Sequence, residues 1–569
     1  MQNAAPSVHV VPLPDGWKEL VESVWRYDRL AVSPGIVMAK AARHVEGIAV
    51  DGRRVEVGCL AHHGLERKLL NALIWEELRR RQWLVTDEEP RPRSNGRTLW
   101  LVPIVPIPPT VNTSVRTQLA AGLQQAVVRS VAAHPASAGS PNHFIVVPRV
   151  CSCFISADRK PLLGRRARDD CQPWPRSSRL AVGGKVIPSS DLSRHVRVVS
   201  YEQVSMRDRQ WSSKAGVAAR LANIVVPYPS SFIGADSARG RPAPWELEWR
   251  KPVRVFAAFG MISGILLNLT KSGGGRAESS QDGAALGLRR ELLTACAASE
   301  VAALRRSACA GKGCRFALRA LVMQQLEAAR VSPNQRHRER SCLRSATDCP
   351  RVMSLVFWAP HDGGDGAGHL SQHHRPRTGP LFVDDRETSD VLAVYRLMLA
   401  STFCLHIGGD TPTRKSFIDA IVASCIPVVT RNDSVFVDSL PFADRIPYME
   451  LVVYVPMERF LPLRSSSAAT TAPSSHGALP ADVGVGEGGA QSIVAHLNDI
   501  SDGEVRRKQA LLRQYAPLLA FPHPRPQRRG GTRSGLLWPI GGVAEKSGAV
   551  IEESENAVGL MIERLFAQS

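Results

Sequence analysis

Residues 401–430 read STFCLHIGGDTPTRKSFIDAIVASCIPVVT, and this run restricts the fold more than any other part of the chain. STFCLHI (401–407) has the length and composition of a buried strand, and GGD then turns the chain. Phe417, Ile418, Ile421 and Val422 recur at the spacing of one helical face. IPVVT (426–430) supplies a second short strand. Two strands joined through a helix run parallel in one sheet, because the helix carries the chain back to the end where it started. Thr411 or Thr413 is placed to cap the helix, and Pro412 suits a position at or near its first turn.

The same alternation fills much of the chain. LERKLLNALIWEELRRR (65–81) sets Leu65, Leu69, Leu70, Ile74 and Leu78 on one helical side, and TLWLVPIVPIP (98–108) reads as a strand followed by a turn. HFIVVP (143–148) and NIVVPYP (223–229) are short buried strands ending in proline. RVFAAFG (254–260) begins a second series: a helix at 288–304, the strand MSLVFW (353–358), the helix SDVLAVYRLMLAS (389–401) and then the opening run. Strands alternating with helices predict an α/β fold with parallel sheets. The boundary falls near 235–250, dividing the chain into an N-terminal unit over 1–240 and a C-terminal unit over 250–522. A tail over 523–569 holds a linker and a C-terminal helix. Four Gly/Ser/Pro-rich stretches, 271–283, 361–380, 464–491 and 522–535, read as disordered insertions, since they lack the apolar residues to order a core.

Lysine and arginine exceed aspartate and glutamate to give a net charge of +20, which favours anionic partners. No basic run is interleaved with aromatic residues as a base-stacking surface requires, so nucleic acid is not expected. The eleven cysteines show no repeated CxxC frame, so no structural metal is expected either. Cys151 with Cys153, and Cys309 with Cys314, read equally as disulfide partners or buried thiols. The longest apolar run, 255–269, falls short of the roughly 18–20 residues that span a bilayer, and the first thirty residues show neither a signal core nor a transit pattern.

The chemistry concentrates at 408–419. Gly408 and Gly409 let the backbone approach a ligand, and a helix N-terminus presents unpaired N–H groups and a partial positive charge to phosphate. Arg414 and Lys415 add full charges in the same turn, where a diphosphate fits. Asp419, one to two turns further, is placed to accept hydrogen bonds from ribose or sugar hydroxyls. Asp410 serves equally as a turn-capping side chain.

The string FCLHIGGDTPTRKSFIDAIVASCIPVV, followed by LPF at 440–442, resembles the exostosin family of glycosyltransferases, especially its plant-type branch. LVTDEEP ahead of LWLVP, GSPNHFIVV, ANIVVPYP and AHLNDISDGEVRRKQALL are similar to further family segments in the same order, over about residues 60–520. The resemblance implies a GT-B architecture, two Rossmann-like domains facing across a cleft, with the acceptor on the N-terminal side and the nucleotide-sugar on the C-terminal side. It implies an inverting transferase acting in the Golgi apparatus on a glycan or glycoprotein acceptor, with a UDP-sugar as donor and no tightly bound cofactor. A divalent metal is allowed but not required, and an acidic acceptor and a hetero-oligomer with another glycosyltransferase both fit the family. Carried over residue by residue, the donor set is Gly408, Gly409, Asp410, Thr411, Thr413, Arg414, Lys415, Asp419 and Asp433.

Three departures stand out. Ser416 occupies the position where the family carries an arginine. The family's Asp-His-Phe reads Asn142-His143-Phe144, and Arg149-Val150 stands in place of the plant-type His-Asp. Asn cannot act as a general base, which leaves His143 as the candidate there against its ordinary reading as a core histidine. About four extra residues in TRNDSVFVDS leave Asn432 or Asp433 for the family's aspartate. A noncatalytic glycan-binding or transferase-partner protein is the alternative these departures support.

Overall fold

The computed structural model describes residues 7–12, 42–61, 65–85, 98–102, 129–133, 142–146, 180–182, 185–187, 196–201, 223–235, 240–261, 349–358, 381–384, 388–407, 414–432, 436–437, 439–456, 492–521 and 556–567, with a few single positions between them. The four insertions, the helix predicted over 288–304 and the cysteines of the 151–153 and 309–314 motifs lie outside these residues.

The N-terminal half is built on one parallel sheet of six strands: β1 (Ser7–Val10), β4 (Leu84–Val85), β5 (Thr98–Val102), β6 (His143–Val146), β9 (Val196–Ser200) and β10 (Asn223–Val225). Across the sheet they lie in the order β10-β9-β6-β5-β1-β4, all parallel. The chain starts in the interior, steps to one edge at β4, then crosses back and fills the other side in sequence. Helix α1 (Leu65–Arg80) precedes β4, and Leu70, Ile74 and Leu78 of its predicted apolar side are fully buried. A separate short antiparallel pair, β7 (Leu180–Val182) and β8 (Lys185–Ile187), stands outside the sheet.

The C-terminal half repeats the plan: β11 (Val253–Met261), β12 (Val352–Trp358), β13 (Leu381–Asp384), β14 (Ser401–His406), β15 (Ile426–Val429) and β16 (Val453–Tyr454), in the order β13-β12-β11-β14-β15-β16, again all parallel. This is the doubly wound Rossmann order, with the direction of winding reversed between β11 and β14. Helix α2 (Thr388–Ala400) precedes β14, α3 (Lys415–Val422) links β14 to β15, and the one-turn α4 (Tyr448–Leu451) precedes β16. Helices α5 (Ile493–Asn498) and α6 (Asp502–Leu519) follow, each opened by a serine cap, Ser492 and Ser501.

The hairpin of β2 (Ala42–Ile48) and β3 (Arg54–Leu60) was not legible as such in the alternating pattern. It belongs to the N-terminal half in sequence but packs on α2 of the C-terminal half. The segment that crosses between the halves embraces it on both edges. Phe232 bridges Cys59, and Trp249 bridges Ala49. Gly47 is required at this edge, since a Cβ there would stand 2.4 Å from the Trp249 ring.

The last helix, α7 (Ala557–Ala567), returns to the N-terminal half. Asn556 caps it through Val558 and Gly559 N–H and donates to Glu77 Oε1 of α1 at 2.7 Å. At the other end the buried Arg197 of β9 donates to Leu565 O. Arg445 and Asp444 of the C-terminal half pair with Glu563 and Arg564 of the same helix. One continuous apolar core runs through both halves.

Candidate functional site

β14 is buried along its whole length and ends at His406, on the side of the sheet where the winding reverses. Open α/β sheets take ligands outside the carboxyl ends of their strands at such a reversal. The turn that leaves β14 there contains Gly408, Gly409, Asp410, Thr411 and Thr413, which lie outside the described residues, as does Asp433. Asn432, the other choice for that position, is described and exposed.

α3 begins later than a threonine cap at 411 or 413 predicts. Arg414 takes the cap position in an extended conformation, its side chain making no capping bond, and Lys415 is the first helical residue. From Phe417 to Val422 every side chain is buried, so Phe417, Ile418, Ile421 and Val422 form the expected apolar face and Lys415 and Ser416 are left at the open end. The Phe417 ring lies 5.1 Å from His406 and 6.0 Å from Tyr448, which fixes the helix on the strand it follows. Ser416 Oγ stands 3.5 Å from His406 Nδ1, at the place where the resembled family carries an arginine. The Cys404–Cys425 disulfide ties β14 to the residue before β15, closing the unit from below.

Lys415 and Asp419 are brought together, and the structure adds partners that no spacing in the sequence indicated. Lys415 Nζ donates to Asp419 Oδ2 at 2.6 Å, one turn along the helix. Asp419 Oδ1 accepts from Ser230 Oγ at 2.8 Å and from the Ser231 N–H at 2.7 Å. Asp419 is only 3% exposed, so its two oxygens are taken up by protein donors rather than presented to solvent. Lys415 Nζ also donates to Ser231 Oγ, which donates to the Tyr395 hydroxyl at 2.6 Å, and that hydroxyl donates to Leu60 O at 3.4 Å. Burial pushes the Tyr395 hydroxyl up to about 12 despite Lys415 nearby, so it remains protonated at physiological pH. The buried Cys59 thiol beside it is likewise raised, to about 12, by burial, and is inert as a nucleophile.

His143 sits elsewhere. It is the first residue of β6, at the amino end of the N-terminal sheet, opposite to the carboxyl edge where ligands bind. It is 1% exposed, its Nε2 lies 2.9 Å from Ser130 Oγ, and its ring stacks on Trp100. This is the environment of a core histidine, and an acceptor hydroxyl has no access to it as a base. Arg149 and Val150, which follow the carboxyl end of β6, lie outside the described residues. Among the described residues no group of three or more His, Cys, Asp or Glu is placed to hold a metal ion.

Residues 353–467, from β12 through the β14-α3-β15 unit and past β16, match the family model of the exostosin GT47 domain. Over those residues the chain is similar to an exostosin GT47 domain. The domain contains β14, α3 and β15, and with it the two doubly wound halves take the GT-B arrangement. Three plant relatives from Arabidopsis thaliana are similar to short stretches of the chain. "Probable xyloglucan galactosyltransferase GT13" is 44% identical over 54 residues, 10% of this chain and 12% of the relative. "Probable xyloglucan galactosyltransferase GT19" is 56% identical over 39 residues, 7% and 9% of the two chains. "Probable xyloglucan galactosyltransferase GT15" is 41% identical over 54 residues, 10% and 11%. The matched stretches span about a tenth of the length of these curated relatives.

Proposed function

We propose that this chain is an inverting glycosyltransferase that moves a sugar from a nucleotide-sugar, of the UDP-sugar class, to a glycan acceptor. The observation that carries the reading is the placement of Arg414 and Lys415 at the open amino end of α3, directly after the carboxyl end of β14 and at the winding reversal of an exostosin domain. A diphosphate there meets the first-turn N–H groups, the helix dipole and two cations. Those charges offset the charge that develops on the leaving diphosphate, which is what transfer to an acceptor hydroxyl demands. The names of the plant relatives make galactose the first sugar to try and a plant cell-wall type of glycan the first acceptor.

The Golgi lumen is the proposed compartment. Two disulfides, Cys342–Cys349 and Cys404–Cys425, suit an oxidising lumen. No helix among the described residues is long and apolar enough to cross a membrane. The noncatalytic alternative draws on Asn142 and on Arg149 with Val150, which put no carboxylate where the resembled pattern has one, and on Ser416 in place of an arginine.

Titration calorimetry of the purified chain with UDP and a panel of UDP-sugars tests the reading. Binding that Arg414→Ala weakens roughly tenfold, the loss of one charge-assisted contact, supports it. A folded sample that binds no nucleotide would give first place to the noncatalytic alternative.

A further inference from the structure

The six residues of the Lys415–Asp419 cluster, Leu60, Ser230, Ser231, Tyr395, Lys415 and Asp419, come from four separate pieces of chain: β3, the crossing segment, α2 and α3. The chemistry of the groups fixes the direction of every bond. An ammonium only donates, so Ser231 Oγ accepts from Lys415 and turns its single proton outward. The Tyr395 hydroxyl accepts that proton and donates its own to a carbonyl, Leu60 O, which only accepts. The order Lys415, Ser231, Tyr395, Leu60 therefore has one sense, and removing a hydroxyl leaves a buried donor or acceptor without its partner. Ser230 is 4% exposed, Ser231 2% and Tyr395 8%, so water cannot readily replace them.

We propose that Ser231 and Tyr395 are positioning residues for the donor helix, fixing the Lys415 ammonium at the amino end of α3 and coupling its position to the N-terminal half. The inference rests on the donor site proposed above. Lysine is a point charge on a stem with four rotatable carbons, and it loses much of that freedom when a diphosphate holds it. Two fixed acceptors, Asp419 Oδ2 and Ser231 Oγ, impose that loss before any ligand arrives. Ser231 lies on the segment that joins the halves and, through its N–H, also holds Asp419. A shift of the crossing segment relative to α3 thus displaces Ser231 from Lys415 and from Asp419 together. Neither Tyr395 nor Ser231 lies in the turn 408–413 or on α3.

Tyr395→Phe and Ser231→Ala, with UDP as the probe in calorimetry, test this. Tyr395→Phe keeps the ring that lies 5.7 Å from the Lys415 ammonium and deletes one hydroxyl. Each variant is expected to weaken UDP roughly three- to tenfold, the scale of one lost buried hydrogen bond. Ser231→Thr, which keeps a hydroxyl, is expected to restore most of the affinity. Amide exchange in 226–235 and in 414–422 should quicken together in Tyr395→Phe. Variants that lower the melting temperature yet bind UDP as the wild type does would overturn the inference and leave the donor site standing. A wild-type chain that binds no UDP would overturn the donor reading and this inference with it.

Discussion

Two buried carboxylates, Asp419 and Glu77, each tie pieces of chain that are far apart in sequence, and the two junctions are made of different materials. Asp419 is met by one lysine, one serine hydroxyl and one backbone N–H, with further hydroxyls behind them. Glu77, whose side chain is fully buried, is met by Arg80 in two bonds of 2.6 Å each, by Arg81 at 2.7 Å and by the Asn556 amide at 2.7 Å. Guanidinium forks match a carboxylate rigidly, whereas an ammonium and hydroxyls rotate. The rigid junction lies away from α3, holding α7 against α1. The adjustable one lies on α3 itself. The molecule thus puts its fixed connection where α7 need only be held, and its rearrangeable connection on the helix proposed above to receive a diphosphate.

Glu77→Ala should have the largest effect. It strands two guanidiniums, one of them 7% exposed, and an asparagine amide, and should lower unfolding stability by about 3–5 kcal/mol in a denaturant titration. A loss below about 1 kcal/mol would break the contrast between the junctions.

Asp419→Ala should cost less, about 2 kcal/mol, because its cationic partner Lys415 is 22% exposed and can reach water. Asp419→Asn keeps the oxygen that accepts from Ser230 and Ser231 and replaces the one that accepts from Lys415 with an amide donor, so it loses the ion pair alone and should cost about half as much. Equal losses for the two variants would show that the ion pair, not the serine contacts, carries the junction.

The smallest effect is the acid response. Burial would push the Glu77 carboxyl up, but the arginines and Asn556 outweigh it and leave it below the usual carboxylate range. A depressed folded-state value means its contribution is fully present above the ordinary glutamate pKa of about 4.3. It is lost as the pH falls through the lower folded value. The stability gap between wild type and Glu77→Gln should therefore hold near neutral pH and narrow below about pH 4.3. A gap independent of pH in that window would mean the carboxylate is not charge-paired in solution.

Much of the fold was legible because its units are local. The strands at 98–102, 143–146, 223–225, 253–261, 352–358, 401–406 and 426–429, and the helices at 65–80 and 388–400, fall where short apolar runs and helical spacing put them. Their burial on both faces is what makes a parallel strand read as a continuous apolar run. The hairpin β2–β3 escaped because its residues alternate between buried and half-exposed and its partners lie far along the chain. The candidate site was legible in part. Arg414, Lys415 and Asp419 belong to one helix and its cap and so to one local signal, while Ser230, Ser231 and Tyr395 are 19 to 189 residues away from them. His143 was drawn from a motif position, and a motif does not say at which end of a strand a residue will sit.

The sequence by itself determined the strand-turn-helix-strand unit at 401–430, its apolar face, the two cations at its helix start and its likeness to exostosins, since all of these depend on residues close together in the chain. Only the tertiary structure decided that the unit sits at the winding reversal, that Asp419 faces the crossing segment, and that the last helix returns to the N-terminal half. Those are outcomes of packing, in which a buried carboxylate takes whichever donors the fold brings within reach, and no local pattern names them in advance.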